Sequence, residues 1–162
     1  MQRRKFIISL LALGSVPLIS RNALSDSMVN LSGIVPIDKT EEEWRKILPN
    51  DRFKILRKAG TERPFSSPLN DEKRQGTYAC AGCDLDLFTA EMKFDSGTGW
   101  PSFYTAINGH VETEVDFKLI WPRTEYHCAR CGGHQGHIFD DGPKPTGKRY
   151  CNNGLALKFI PA

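Results

Sequence analysis

Unbalanced charge is what this chain has least of. Its 162 residues hold 22 Lys and Arg against 19 Asp and Glu, a formal +3. Arg3, Arg4, Lys5 and Arg21 stand in residues 1–25 with no acid among them, which accounts for +4. The 18 bases and 19 acids that remain leave residues 26–162 at −1. A near-neutral domain argues against binding nucleic acid or a membrane surface through bulk positive charge. Long apolar runs are missing as well. FIISLLALGSVPLI, residues 6–19, is broken by Ser9, Gly14, Ser15 and Pro17 and falls short of the ~20 residues of a membrane span. No repeat of solenoid type occurs. Cysteine is scarce, with five in the chain, but four of them fall into two pairs.

The first 25 residues read as an export signal. Arg3-Arg4-Lys5 is a positive n-region, residues 6–19 are the apolar stretch, and Ala23-Leu24-Ser25 supplies small residues for cleavage after Ser25. The adjacent arginines followed by Lys5-Phe6 resemble part of a twin-arginine signal, and Arg21 fits that route. The expected destination is the periplasm, with membrane contact only through the signal during export. Residues 26–36 read as a polar linker, and residues 37–162 as the domain.

Thr40-Glu41-Glu42-Glu43 has the capping-box pattern and predicts a short helix through Trp44 to Leu48. Pro49 opens a second helix, apolar at Phe53, Ile55, Leu56 and Ala59, with Gly60 as its stop. From Thr61 onward short β-rich runs alternate with turn residues: TYAC, KFD, SFYTAI, HVETEV, KLIW, EYHC, HIF, RYC and LALKFI. Asn108-Gly109, between SFYTAI and HVETEV, predicts a tight hairpin. The expected class is mainly β and antiparallel, with short N-terminal helices.

Cys80 and Cys83, and Cys128 and Cys131, each enclose two residues. Two such knuckles suit a closed, structural four-thiolate zinc site, one ion per chain. Redox pairs are the first alternative, but such a motif starts a helix in a βαβ setting. Disulfides are the second, and export favours them. Cys151 then remains as the free thiol. It is either a buried structural cysteine or a reagent. On an extended strand Arg149 lies on its face and favours a thiolate where the guanidinium turns that way. Asn152 and Asn153 offer hydrogen bonds. GGHQGHIFDDGP places His134 and His137 just after the second knuckle, as base for a thiol, acid for a leaving oxygen, further metal ligands or core residues. Trp100, in the glycine-rich stretch FDSGTGWPSFY, is a pocket wall or a core residue.

TERPF, SGTGWPSF, CGGHQGHIFDDGP, TGKRYC and the two cysteine pairs together resemble the methionine-R-sulfoxide reductase family, the B type, over roughly residues 37 to 160. The resemblance implies two antiparallel sheets in a compact, zinc-pinned domain of the Mss4-like, β-tent kind. It implies reduction of methionine-R-sulfoxide, free or in proteins, and so repair of oxidised proteins. Cys151 matches the nucleophile, whose thiolate attacks the sulfoxide sulfur and ends as a sulfenic acid. His137, with His134, matches the active-site histidines. Asn153 matches the family asparagine and Arg149 the arginine of the pocket. Trp100, joined by Phe139, matches the wall against which the substrate methyl packs, and Asp141 is expected to orient a histidine near the substrate. Thr98 stands where many relatives carry a resolving cysteine. The expectation is therefore a one-cysteine enzyme whose reductant is an external thiol: a thioredoxin-like domain, glutaredoxin or glutathione. DFKLIWP, residues 116–122, departs from a Ser-His-Gly stretch frequent in relatives. Two other readings are a non-catalytic binding module on a zinc-pinned β scaffold and a one-cysteine thiol peroxidase.

Overall fold

The computed structural model describes residues 33–117 and 122–162. The export signal, most of the linker and the whole of KLIW fall outside the described residues.

Helix α1 (Glu41–Ile47) starts as its first turn dictates. The Thr40 hydroxyl accepts the Glu43 N–H at 3.3 Å, and the Glu43 carboxylate accepts the Thr40 N–H at 2.7 Å. That reciprocal pair satisfies two donors the helix itself leaves open. Helix α2 (Asn50–Lys58) follows Pro49 and buries Phe53, Ile55 and Leu56. Its end differs from expectation: the left-handed residue is Ala59, with φ of 47°. Gly60 comes one place later, where a β-carbon would lie 2.9 Å from the Lys54 carbonyl oxygen. Close approach, not turn conformation, is what makes that glycine necessary.

Among the described residues nine strands form two antiparallel sheets. In the smaller, β1 (Gly76–Cys80) lies between β2 (Asp86–Thr89) and β9 (Leu157–Pro161). The larger contains β3 (Lys93–Phe94), β4 (Ser102–Phe103), β5 (Val111–Asp116), β6 (Arg123–Cys128), β7 (His134–Phe139) and β8 (Arg149–Asn152). Their order is β3-β4-β8-β7-β6-β5. The Asn108-Gly109 turn is present, with Gly109 at φ of 74°, but it closes no hairpin. β4 and β5, which flank it, stand apart with β8, β7 and β6 between them. Residues 104–107 are bonded elsewhere: the Tyr104 N–H goes to Met92 O and the Ile107 N–H to Leu87 O. The core lies between the sheets. Tyr78, Phe88, Phe103 and Tyr126 are fully buried there, and Phe88 stacks on Phe103 at 3.9 Å. Each such side chain contributes ~1.5–3 kcal/mol on burial.

Candidate functional site

Four sulfurs meet where the two sheets end. Cys80 closes β1 and Cys128 closes β6, with Cys83 and Cys131 in the turns that follow. Cys80 and Cys131 sulfurs are 3.7 Å apart, those of Cys83 and Cys128 are 3.5 Å apart, and all four thiols are free. A tetrahedral ion with metal–sulfur bonds of ~2.3 Å places its sulfurs ~3.8 Å apart, so the cluster has the size of a metal site. Disulfide sulfurs stand at ~2.0 Å and are excluded by the same distances. The Gly82 N–H and the Gln135 amide each donate to the Cys80 sulfur at 3.4 Å. Arg57 of α2 packs 3.8 Å over the Trp44 ring and donates to the Cys131 carbonyl at 2.7 Å.

Cys151 sits on β8, in the middle of the larger sheet. Its register partner on one side is His137 of β7 and on the other Ser102 of β4. Partners directly opposite across an antiparallel pair project to the same face. Thiol and imidazole are thereby placed side by side by backbone pairing alone. Above them lies a cavity of about 130 Å³ lined by Trp100, Phe139, Asn153, His137, Arg123 and Thr61 among others. The Trp100 indole N–H donates to the Glu62 carbonyl at 3.2 Å, which fixes the ring. A larger groove of about 580 Å³, lined by Ser67, Leu155 and Phe159, lies on the far side of Glu62. It holds no thiol and no histidine, so chemistry rather than size locates the site.

The other expected residues distribute unevenly. His134 is buried away from the cavity, with its ring centroid 5.6 Å from that of His137. Each histidine has a carboxylate: Nε2 of His137 is 2.8 Å from Asp116, and Nδ1 of His134 is 2.5 Å from Glu125. Asp116 also accepts from Arg123 at 2.7 Å. Among the described residues Asp141 is paired with Arg149 rather than with a histidine. Both its oxygens accept from Arg149 at 2.8 Å, and the Arg149 guanidinium lies 4.3 Å over the Phe139 ring. Asn153 is clamped on both ends of its amide: Oδ1 accepts the Glu62 N–H at 3.0 Å and Nδ2 donates to Gln135 O at 3.0 Å. The sequence reading missed Asp116, Glu125, Arg123 and Glu62. Glu62 lay in plain view inside TERPF, yet its partners are some ninety positions away: its carboxylate accepts the N–H groups of Gly154 and Leu155.

Thr98 stands close enough to Cys151 for its hydroxyl to draw the thiol's pKa downward. Behind it runs a chain of hydroxyls. Ser96 lies 2.8 Å from Thr98 and 2.7 Å from Ser102, and Ser102 donates to Trp100 O at 3.1 Å. Burial pushes the Cys151 thiol above its ordinary value. The Arg149 charge and hydrogen bonds from Thr98 and Arg149 pull it back without overcoming burial, and Asp141 adds slightly to the rise. The arrangement therefore holds a protonated thiol at neutral pH, poised beside a histidine and among hydroxyl and guanidinium donors.

A model of the SelR domain matches residues 48–161. A peptide methionine sulfoxide reductase MsrB of Methanosarcina barkeri is 50% identical over 124 residues, 76% of this chain and 87% of that protein. The MsrB proteins of Pseudomonas putida and Bradyrhizobium diazoefficiens are each 52% identical, over 77% and 76% of this chain and 95% and 89% of theirs.

Proposed function

The chain belongs to the SelR-domain family of peptide methionine sulfoxide reductases, and on that premise we propose a one-cysteine mechanism for reduction of methionine-R-sulfoxide, with Cys151 as the reagent. The observation that carries it is the register pair Cys151–His137 at the floor of an aromatic-walled cavity. The sulfoxide enters with its methyl group against Trp100 and Phe139. The Cys151 sulfur, as thiolate, attacks the sulfoxide sulfur. The departing oxygen gathers negative charge and needs a proton, and His137, held by Asp116, is placed to deliver one. Oxygen passes from methionine to cysteine: thiol and sulfoxide become sulfenic acid and thioether. Thr98 beside Cys151 has no thiol to offer, so two external thiols reduce the sulfenic acid, giving a disulfide and water. A thioredoxin-like domain, glutaredoxin or glutathione fits that role.

Zinc is the proposed occupant of the cysteine cluster. Four soft thiolates at near-tetrahedral spacing favour it, and with all four positions taken it supplies structure only. The segment Arg3-Arg4-Lys5 and the apolar run behind it support export, and the reductant then acts outside the cytoplasm. The test is turnover of the separated R and S epimers with dithiothreitol. Wild type is expected to reduce the R epimer alone, with a dimedone adduct at Cys151 when reductant is withheld. Cys151→Ser should lose activity by roughly three orders of magnitude. Full turnover by that variant would remove Cys151 from the chemistry.

A further inference from the structure

Trp100 lines two recesses. The first is the Cys151 cavity; the second, of about 120 Å³, has Phe65, Phe94, Lys93, Asp71 and Asp95 among its other walls. Phe65 stands out there. It is 73% exposed, at a place where a large aromatic ring has every reason to be buried. Its backbone is held at φ of 61°, a conformation that β-carbon-bearing residues rarely adopt. The hold is specific: the Phe65 N–H donates to Gly99 O at 2.7 Å, and the Asn70 amide donates to the same oxygen at 3.0 Å. Gly99 itself has φ of +91°, and a β-carbon on it would lie 2.8 Å from the Phe65 ring. The fold thus accepts strain at 65 and forbids a side chain at 99, and the result is an aromatic ring kept in solvent beside the active-site tryptophan. Strain of this sort concentrates at ligand-contacting positions.

We propose that the recess between Phe65 and Trp100 is a subsite for a side chain flanking the oxidised methionine in a polypeptide substrate. The proposal rests on the reading of the Cys151 cavity as the sulfoxide site and adds a second subsite beside it. Free methionine sulfoxide has no flanking residue and makes no use of a second recess. A polypeptide has one on each side, and an extended chain turns successive side chains to opposite sides. The two recesses share Trp100, so a chain laid across that residue can place the sulfoxide in one and its neighbour in the other. Phe65 and Phe94 offer apolar contact. Asp71 and Asp95 face a single ammonium, Lys93, whose Nζ already donates to Asn70 O at 2.8 Å. Neutral and basic flanks are therefore preferred over acidic ones.

The experiment compares free L-methionine-R-sulfoxide with an uncharged pentapeptide carrying the same sulfoxide at its centre, on wild type, Phe65→Gly and Phe65→Tyr. Glycine removes ring and strain together, so Phe65→Gly keeps or gains thermal stability. Its KM for the pentapeptide is expected to rise about fivefold to tenfold, the size typical of a truncated aromatic contact, with kcat and all constants for the free amino acid unchanged. Phe65→Tyr restores the wild-type KM. Equal constants for peptide in wild type and Phe65→Gly overturn the subsite, as does an equal loss on both substrates, which would make Phe65 a support for the Trp100 loop. Wild type inactive on both substrates would instead defeat the Cys151 reading, and the subsite with it.

Discussion

At Cys151 two opposed effects meet on one sulfur. Desolvation favours the thiol, while Arg149 and the Thr98 hydroxyl favour the thiolate, and desolvation is the larger. The midpoint therefore lies above the ordinary 9.0 in the free protein, and reactivity with iodoacetamide should climb as pH rises towards it. Thr98→Val keeps the shape and removes the hydroxyl. The thiolate alone loses a donor, so the midpoint moves further up. Thr98→Ser holds it in place. An alkylation profile in Thr98→Val that overlays the wild type would show that the hydroxyl does not act on the sulfur. The sequence made Cys151 conspicuous, because a single thiol beside two spaced pairs has no structural partner. It did not reveal Asp116. In VETEVD the period of two puts Glu112, Glu114 and Asp116 on one face, and only Asp116 is buried. Which of the three acids meets His137 depends on where the strand lies in the sheet, and that is a tertiary fact.

Single elements carry the site by how they end and what they bridge. β8 stops at Asn152, and the chain turns at once through Asn153 into a short 3₁₀ turn, Gly154–Ala156. Glu62 closes that turn from outside: its carboxylate takes two N–H groups, its own N–H goes to Asn153, and its carbonyl receives the Trp100 indole. One residue thus positions the aromatic wall and the amide two places after Cys151. Burial raises the Glu62 carboxyl above 4.5, with the two N–H bonds opposing the rise. Glu62→Gln swaps one acceptor oxygen for a donor facing an N–H. The expected cost is about 1–3 kcal/mol in stability from the unsatisfied groups. The peptide KM should rise as Trp100 loosens, while Cys151 alkylation stays near wild type. Urea unfolding and steady-state kinetics check both, and an unchanged urea midpoint would deny Glu62 its clamp. Element types were well marked in the sequence: the capping box, the proline before α2 and most of the described β-rich runs sit where expected, although β2 was missed, SFYTAI is strand only at Ser102–Phe103 and LALKFI begins in a 3₁₀ turn. The connection at Asn108-Gly109 was misread because turn chemistry is local. Whether flanking strands pair is decided by what else competes for their edges, and β8 takes that place beside β4.

Across the whole molecule the cysteine cluster and the Cys151 cavity are parts of one structure. Cys80 belongs to the smaller sheet and Cys128 to the larger, so an ion bound by both ties the two layers together. Gln135 connects that tie to the residues that follow Cys151. It is the extra residue at the β6–β7 irregularity and is fully buried. Its amide nitrogen donates to the Cys80 sulfur at 3.4 Å, its amide oxygen faces the Asn152 amide at 3.4 Å, and its carbonyl accepts from Asn153. The paired cysteines were readable from spacing alone. This bridge was not, since a bulge leaves no periodic trace in GGHQGHIF. Two consequences separate metal from bridge. Binding of zinc by four thiolates is worth ~10–16 kcal/mol, and a whole domain is stable by only ~5–15, so the metal-free chain should not hold its fold. Chelation is therefore expected to release zinc, near-UV circular dichroism and turnover together; a stripped protein that kept its spectrum and activity would deny the ion its structural role. Gln135→Met, by contrast, keeps volume and all four sulfurs and should retain the ion. It loses three long hydrogen bonds, to the Cys80 sulfur, the Gly133 carbonyl and the Asn152 amide, a cost of about 1–3 kcal/mol. Since Asn152 and Asn153 directly follow Cys151, the loss should fall on kcat more than on KM. Wild-type kcat in Gln135→Met would mean that the metal end and the cavity share a scaffold without being coupled through it.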